Sequence, residues 1–155
     1  MAGMTSRPLT PAERNLAASI FGGAIDYDPV RIVRRKWWMF QPKAIVMAPS
    51  GSIHFHPDSN LWSEDFAAEH PHRQGLFIHE MTHIWQHQKG IWLPLARHPF
   101  CRYSYSVKPG WPLARYGLEQ QAEIVRHAFL LRHGRSFAGA PPLTQLESIL
   151  PFAAA

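Results

Sequence analysis

The residues with the clearest chemical potential lie at 79–83, where the sequence reads HEMTH. On a helix, His79 and His83 are one turn apart and project from the same face, so both imidazoles can bind one Zn²⁺ ion. Glu80 stands beside the first histidine and can take a proton from a metal-activated water as that water attacks a carbonyl. This HExxH pattern predicts a zinc hydrolase in which His79 and His83 are metal ligands and Glu80 is the general base.

A third histidine, His87, continues the four-residue spacing. At a rise of about 1.5 Å per residue, His79 and His87 lie about 12 Å apart along a straight helix, too far to share one ion. A glycine three residues after the second histidine could break the helix and change this, but Gln86 occupies that position. We therefore expect His87 at the surface or at the edge of a cleft, and a third ligand from elsewhere.

The second strong helical pattern, at about 117–133, offers that ligand. Glu119 and Glu123 are four residues apart on one face, next to an apolar stripe. Carboxylates beside a buried face are costly unless they are neutralised. We expect Glu119 to bind the metal and Glu123 to accept the second N–H of a ligand histidine. The alternative is that both acids are solvated near the helix N-terminus, where the helix dipole favours them.

A hydrolase also needs a group that stabilises the developing oxyanion. The candidates are Tyr105, in the segment between the two helices, and Tyr116, three residues before Glu119 and able to share its face. Tyr103 and His98 are alternatives in the same region. We therefore assign the catalytic set as Glu80 together with Tyr105 and Tyr116.

The helices and strands that must position these residues can be predicted from the spacing of apolar residues and from the positions of glycine and proline. The pattern predicts helices at 10–22, 73–89, 117–133 and 143–150, a helical turn at 63–69, and strands at 30–40, 43–48 and 52–56. At the first helix, Thr10 is the expected N-cap, Pro11 the first helical residue and Glu13 the returning partner of a capping box. Strands followed by helices indicate a small α+β fold, one domain over residues 1–155.

Composition narrows the class of protein. Of the 155 residues, 46% are hydrophobic and 17% charged, which favours a folded domain over disorder. The single cysteine, Cys101, excludes an internal disulfide framework and a cysteine-rich zinc finger, so a metal must rely on histidine and carboxylate ligands.

Membrane spans and export signals are not predicted. No stretch approaches the roughly 20 apolar residues of a membrane span. Residues 16–25 have the composition of a short signal sequence, but the capping pattern before them favours a helix. We therefore expect synthesis in the cytoplasm without a signal peptide.

The formal net charge is +5, and the basic residues are scattered except at RIVRRKWW, residues 31–38. Basic residues interleaved with aromatic ones can bind nucleic acid. The simpler interpretation is a half-buried strand with a solvated basic face. Since the chain lacks a recognisable nucleic-acid-reading motif, we expect no nucleic-acid partner.

HExxH followed on a later helix by ExxxE resembles the gluzincin metallopeptidases. More closely, HEMTHIWQ (79–86) and YSYSVKPGWPLARYGLEQQAEI (103–124) resemble the zinc peptidase domains attached to bacterial Vgr and Rhs secretion proteins. This resemblance covers residues 75–130 and implies a zincin-like fold, in which a short antiparallel sheet packs on the active-site helix and on a second, glutamate-bearing helix. It implies Zn²⁺ bound by His79, His83 and Glu119, with Glu80 as the base. It also implies an edge strand that binds extended substrate, for which residues 52–57 are the candidate.

The resemblance thus implies a zinc endopeptidase acting as a toxin or effector domain of a bacterial type VI secretion system. The implied partners are a protein or peptide substrate, a Vgr or Rhs spike protein and a cognate immunity protein. Secretion into the periplasm or cytosol of a target cell follows from the same resemblance. Two alternatives remain open: a catalytically silent zinc-binding adaptor module, and an amidase that cleaves peptidoglycan peptides.

Overall fold

The computed structural model describes residues 5–91, Leu93 and residues 102–152. In chain order the strands and helices are β1 (Ser6–Pro8), α1 (Pro11–Phe21), β2 (Arg31–Val33), β3 (Ile53–His54), α2 (Pro71–Gln88), α3 (Leu118–Arg132) and α4 (Leu143–Glu147). Short 3₁₀ turns lie at Gly22–Ala24, Phe66–Ala68 and Leu113–Arg115. The predicted α+β class is confirmed, and each of the four predicted helices is present within a few residues of its expected bounds.

The three strands form one small sheet in the order β1-β2-β3. β1 runs antiparallel to β2, with Ser6 opposite Val33, whereas β2 runs parallel to β3, with Ile32 opposite Ile53. The sheet is therefore mixed, and the expectation of a wholly antiparallel sheet was wrong. The physical reason is the long segment 34–52, which carries the chain back to the starting end of β2 before β3 begins.

Between the strands predicted at 43–48 and 52–56, the structure has one antiparallel bridge, which joins Met47 to His54. The amide of Met47 donates to the carbonyl of His54 at 3.1 Å, and the reverse bond is 2.7 Å. His54 thus has β2 on one side and Met47 on the other. Residues 52–57 therefore do not present an open edge at His54 for an extended substrate.

The start of α1 has the predicted cap and an additional buried network. Thr10 is the N-cap, its hydroxyl accepts from the Glu13 amide, and the Glu13 side chain accepts from the Thr10 amide. Glu13 is fully buried and also accepts from the Arg7 guanidinium at 2.7 Å and from the Phe66 amide at 3.0 Å. This one carboxylate therefore ties together β1, α1 and the 3₁₀ turn at 66–68.

The helices α2 and α3 pack directly against each other and contribute ten of the 25 buried residues that the structure describes in the core cluster. Gly75 lies at this crossing, where a Cβ would come within 3.3 Å of the Leu130 side chain, so the helices approach closely. The Phe66 ring stacks between Phe55, next to β3, and Phe77 of α2, which connects the sheet to the helix. Gly90, with φ of +89°, follows the end of α2.

Candidate metal centre

Two histidines of α2 and one glutamate of α3 meet in the interior. One ligand atom each from His79, His83 and Glu119 lies within 4.8 Å of the others. The Nε2 atom of His83 is 2.6 Å from one Glu119 carboxylate oxygen, and Nε2 of His79 is 3.5 Å from the other. The close packing of α2 on α3 creates this group, because residues on facing helix surfaces converge only once the helices cross.

Each imidazole has its other ring nitrogen fixed by a second side chain. The Nδ1 atom of His79 lies 3.3 Å from Oε2 of Glu123, and Nδ1 of His83 lies 2.8 Å from Oε1 of Gln86. If both Nδ1–H groups donate to these acceptors, each Nε2 presents a lone pair towards Glu119. The tautomers that a metal ion requires are thus favoured by the neighbouring residues.

The three residues are deeply buried: His79, His83 and Glu119 are exposed by 7%, 1% and 1%. Burial lowers the pKa of His79, but hydrogen bonds to Glu119 and Glu123 outweigh burial and raise it to about 9. Burial raises the pKa of Glu123, yet the hydrogen bond to His79 and the charge of Arg126 bring it below its usual value. In the metal-free chain, the proton on His79 supplies a positive charge between the buried Glu119 and the partly buried Glu123.

The donor set fits a zinc ion. Two imidazole nitrogens and one carboxylate oxygen are a ligand combination of catalytic zinc sites, which leave a fourth position for water or substrate. Two ligands of one tetrahedral zinc ion lie about 3.4 Å apart at ordinary bond lengths. The 3.5 Å between His79 and Glu119 is close to that spacing, whereas the 2.6 Å between His83 and Glu119 is a hydrogen-bond distance.

Glu80 lines a cleft of about 190 Å³ together with His79 and Glu123. The other walls are Leu61, Leu76, Tyr103, Arg126 and the segment 44–46. Glu80 is only 4% exposed, so its carboxylate lies in an environment from which bulk water is largely excluded. The segment 44–46, rather than 52–57, is therefore the stretch of chain that borders the candidate site beside α2.

The two tyrosines selected from the sequence, Tyr105 and Tyr116, lie in different surroundings. Tyr116 is 5% exposed, and its hydroxyl accepts a hydrogen bond from the Lys108 amide at 2.9 Å. The Tyr105 hydroxyl lies 2.7 Å from Nδ1 of His127, in a neighbouring pocket of about 380 Å³. Tyr103, named only as an alternative, lines the cleft beside Glu80 and stacks on the His79 ring with 6.0 Å between ring centroids.

Of the other two histidine candidates, the structure describes only His87. His87 lines a different pocket, with Asp26 and Ser50, and does not belong to the group of three ligands. His98 lies outside the residues that the structure describes.

Sequence analysis missed two residues of the site. Gln86 is fully buried, binds His83 through its oxygen, and donates through its nitrogen to the Leu118 carbonyl and to Gln121. It could have been identified from its position three residues after His83, on the same helix face. Arg126 contacts the Glu123 carboxylate at 3.1 Å and could have been identified in the same way, because it lies three residues after Glu123. Gln86 thus anchors the ligand-bearing face of α2 to the start of α3.

Comparison with known proteins gives two matches. The effector domain of Pseudomonas aeruginosa VgrG2b, a solved structure, matches with a TM-score of 0.75 and 36% sequence identity, covering 92% of this chain and 80% of that chain. The type VI secretion system spike protein VgrG2b of P. aeruginosa is 42% identical over 132 residues. That match covers 80% of this chain but 13% of the spike protein. No family model matches the chain, and none of the described helices is long and apolar enough to cross a membrane.

Proposed function

This chain belongs to the family of the VgrG2b effector domain, and we propose that it is a zinc-dependent endopeptidase delivered by a type VI secretion system. The observation that carries the proposal is the convergence of His79, His83 and Glu119, with Glu80 lining the adjoining cleft. A structural zinc site is typically closed by four protein ligands, whereas three ligands beside a cleft leave a position for chemistry.

Different residues of the chain have different roles in the proposed peptide hydrolysis. His79, His83 and Glu119 would hold the ion, which when bound polarises a carbonyl and lowers the pKa of water. Glu123 and Gln86 orient the two imidazoles through their Nδ1 atoms. These contacts support a rigid ligand set in which little reorganisation is needed during reaction.

Glu80 is the proposed general base. Its carboxylate would accept the proton of the attacking water and return it to the leaving amine as the peptide bond breaks. The cleft beside it is bordered by the apolar chain segment 44–46. An extended polypeptide lying against this segment would bring its carbonyl to Glu80.

Tyr103 is the proposed oxyanion donor in place of Tyr105 and Tyr116. Its ring stacks on His79 and borders the same cleft as Glu80. Among the described residues that line this cleft, Tyr103 is present, whereas Tyr105 and Tyr116 are not. Its position beside Glu80 supports the assignment to Tyr103.

The first prediction tests the peptidase. Glu80→Gln removes the base but keeps the shape of the side chain, so zinc should still bind at about one ion per chain while cleavage falls on the order of a thousandfold. The measurements are metal content by mass spectrometry and proteome-wide cleavage mapping. Glu64→Gln is the matched control, because Glu64 is an exposed carboxylate outside the cleft and should leave both unchanged.

A Glu80→Gln variant that cleaves as fast as the unaltered protein would disprove the mechanism. Zinc binding without any cleavage by the unaltered protein would instead favour a silent zinc-binding adaptor. Cleavage confined to peptidoglycan peptides would favour the amidase, which uses the same residues.

Delivery by a secretion spike is proposed from the relatives. The matched protein is named as a type VI secretion spike protein, and this chain corresponds to a small part of it. We propose that a Vgr or Rhs spike carries this domain into a target cell and that the producing cell holds an immunity protein against it. Co-purification of the chain with a spike protein from the producing bacterium tests the first of these partners.

A further inference from the structure

The net charge of the molecule originates from one segment. Residues 29–57 contain no acidic residue. They contain five basic residues: Arg31, Arg34, Arg35, Lys36 and Lys43. The rest of the chain has 11 basic and 11 acidic residues, so the whole formal charge of +5 arises here. Within the described part of the chain, none of these five cations forms an ion pair.

Of the six large apolar side chains that the structure describes as exposed, the same segment holds five. Trp37, Trp38, Met39 and Phe40 are exposed by 38%, 47%, 72% and 70%, and Ile45 by 48%. Among the described residues, Tyr103 is the only other large apolar side chain in this class. Four consecutive exposed residues of this size form a patch rather than scattered surface positions, and such patches mark interaction sites.

Buried contacts hold this apolar surface in place. Gln41 is 3% exposed, and its amide nitrogen donates to the carbonyls of Ile45 and His54 at 2.9 and 3.0 Å. Its oxygen accepts from the Trp37 amide at 2.7 Å. We call residues 34–43 the basic aromatic loop. Because Gln41 fixes the loop from inside, the folded chain presents the aromatic residues outward instead of burying them in the core.

From this surface we infer that the basic aromatic loop docks the domain on a bilayer that contains anionic lipid. Tryptophan rings favour the level of the lipid headgroups, and Met39 and Phe40 can enter the acyl region below it. Arginine and lysine stems extend around such an apolar tip while their charges reach anionic headgroups.

A bilayer fits this loop better than a protein partner does. A protein interface carries about one hydrogen bond per 100–200 Å². Met39 and Phe40 have no side-chain hydrogen-bonding group, and each tryptophan has only its indole N–H. None of the pockets described above is lined by residues 37–40, so the tip is suited to insert rather than to receive a ligand.

Docking would also orient the candidate metal centre. The chain leads from the loop directly into Ala44, Ile45 and Val46, which form one wall of the cleft beside Glu80. A domain held by this loop therefore has its cleft next to the bilayer surface. If the proposed peptidase function holds, its substrates are polypeptide segments close to the membrane.

The experiment is vesicle flotation of the whole chain, comparing vesicles of phosphatidylcholine with vesicles that also contain phosphatidylglycerol. Each basic residue near an anionic surface contributes about 1 kcal/mol. We therefore expect at least about tenfold tighter binding to the phosphatidylglycerol vesicles, weakening as salt is raised. The Glu80→Gln variant should bind equally well, so this result is independent of peptidase activity.

Two double variants test the loop itself. Arg35→Glu with Lys36→Glu should reduce binding at least about tenfold, and Met39→Ser with Phe40→Ser should do so with less sensitivity to salt. The control is Lys89→Glu with Arg135→Glu, which changes the net charge equally at exposed positions outside the loop. Thermal unfolding by circular dichroism checks that all three remain folded.

Two results would overturn the inference. One is failure of the unaltered chain to bind phosphatidylglycerol vesicles at low salt. The other is equal binding by the loop variants and the control. If the loop variants instead lose binding to a protein or a nucleic acid while still binding vesicles, that other partner is the occupant of the loop.

Discussion

At the scale of single residues, the candidate site depends on which nitrogen of each histidine faces Glu119. The side chains of Glu123 and Gln86 contact the Nδ1 atoms of His79 and His83, respectively. Both Nε2 atoms therefore face the Glu119 carboxylate. The two orienting residues differ in charge, one a carboxylate and the other an amide. The hydrogen bond to Glu123 is one of the contacts that raise the pKa of His79.

The second prediction concerns Tyr103 and rests on the proposed peptidase. Tyr103→Phe keeps the ring stacked on His79 but removes the hydroxyl, so kcat/KM should fall about a hundredfold if this group stabilises the oxyanion. Tyr105→Phe is the matched control and should leave kcat/KM within about threefold, since its hydroxyl bonds to His127. Steady-state cleavage of a mapped substrate measures both. A larger loss for Tyr105→Phe would transfer the role to that residue.

The third prediction concerns pH and His127. Burial lowers the pKa of this imidazole, so the folded chain holds it neutral while the unfolded chain protonates it near the ordinary value of 6.5. The stability that it contributes is present above about pH 6.5 and is lost as pH falls through the lower, folded pKa. His127→Asn keeps an acceptor for Tyr105 without a titratable ring.

Urea unfolding at pH 8 and pH 5.5, with a chelator present, measures this effect. The unaltered chain should lose more stability than His127→Asn between the two pH values. Equal losses would mean that His127 does not contribute to the acid sensitivity.

At the scale of elements, the start of α1 is fixed by one buried ion pair. Glu13 and Arg7 are exposed by 0% and 7%, and Glu13 also caps the helix and binds the turn at Phe66. Arg14 and Asp28 form a pair of similar length on the surface, with Asp28 largely exposed. The same type of contact therefore occurs in two solvent environments on one helix.

The fourth prediction compares these pairs. Glu13→Gln leaves the Arg7 charge buried without its partner, so the free energy of unfolding should fall by about 3 kcal/mol or more. Arg14→Ala should change it by less than about 0.5 kcal/mol, because exposed pairs contribute little. Chemical denaturation of both variants gives the two values. Similar losses would mean that burial does not determine the strength of these pairs.

At the scale of the whole molecule, the candidate metal centre joins the two main helices. Two of the proposed metal ligands lie on α2 and one on α3, and Gln86 bonds across the same crossing. An ion that binds only the folded arrangement stabilises the entire fold by mass action. A zinc ion bound at the proposed site would therefore stabilise the fold as well as take part in the chemistry.

The fifth prediction follows from this linkage. At a zinc concentration about 100 times the dissociation constant, the unfolding free energy should rise by about 2.7 kcal/mol, which raises Tm by roughly 5–10 °C for a domain of this size. Differential scanning calorimetry with zinc or with a chelator measures the shift. Glu119→Ala should show little shift, whereas an undiminished shift in that variant would locate zinc at other histidines.

The α+β class, the helices and the N-cap of α1 could be predicted from the sequence. These features depend on neighbouring residues: apolar spacing, Thr10 with Glu13, and glycines such as Gly90 and Gly134 after the helix ends. The HExxH pair is local in the same way, because four residues of helix fix the relative position of His79 and His83.

Only the tertiary structure decided the parallel pairing of β2 with β3, the position of Tyr103 at the cleft, and the distance from Glu119 to the imidazoles. Each of these depends on how segments far apart in the chain cross, which hydrophobic packing of the whole core determines. The sequence by itself determined which residues can bind a metal along each helix. The crossing of α2 and α3 decided that they meet, because ligands on separate helices converge only when the core between them is packed.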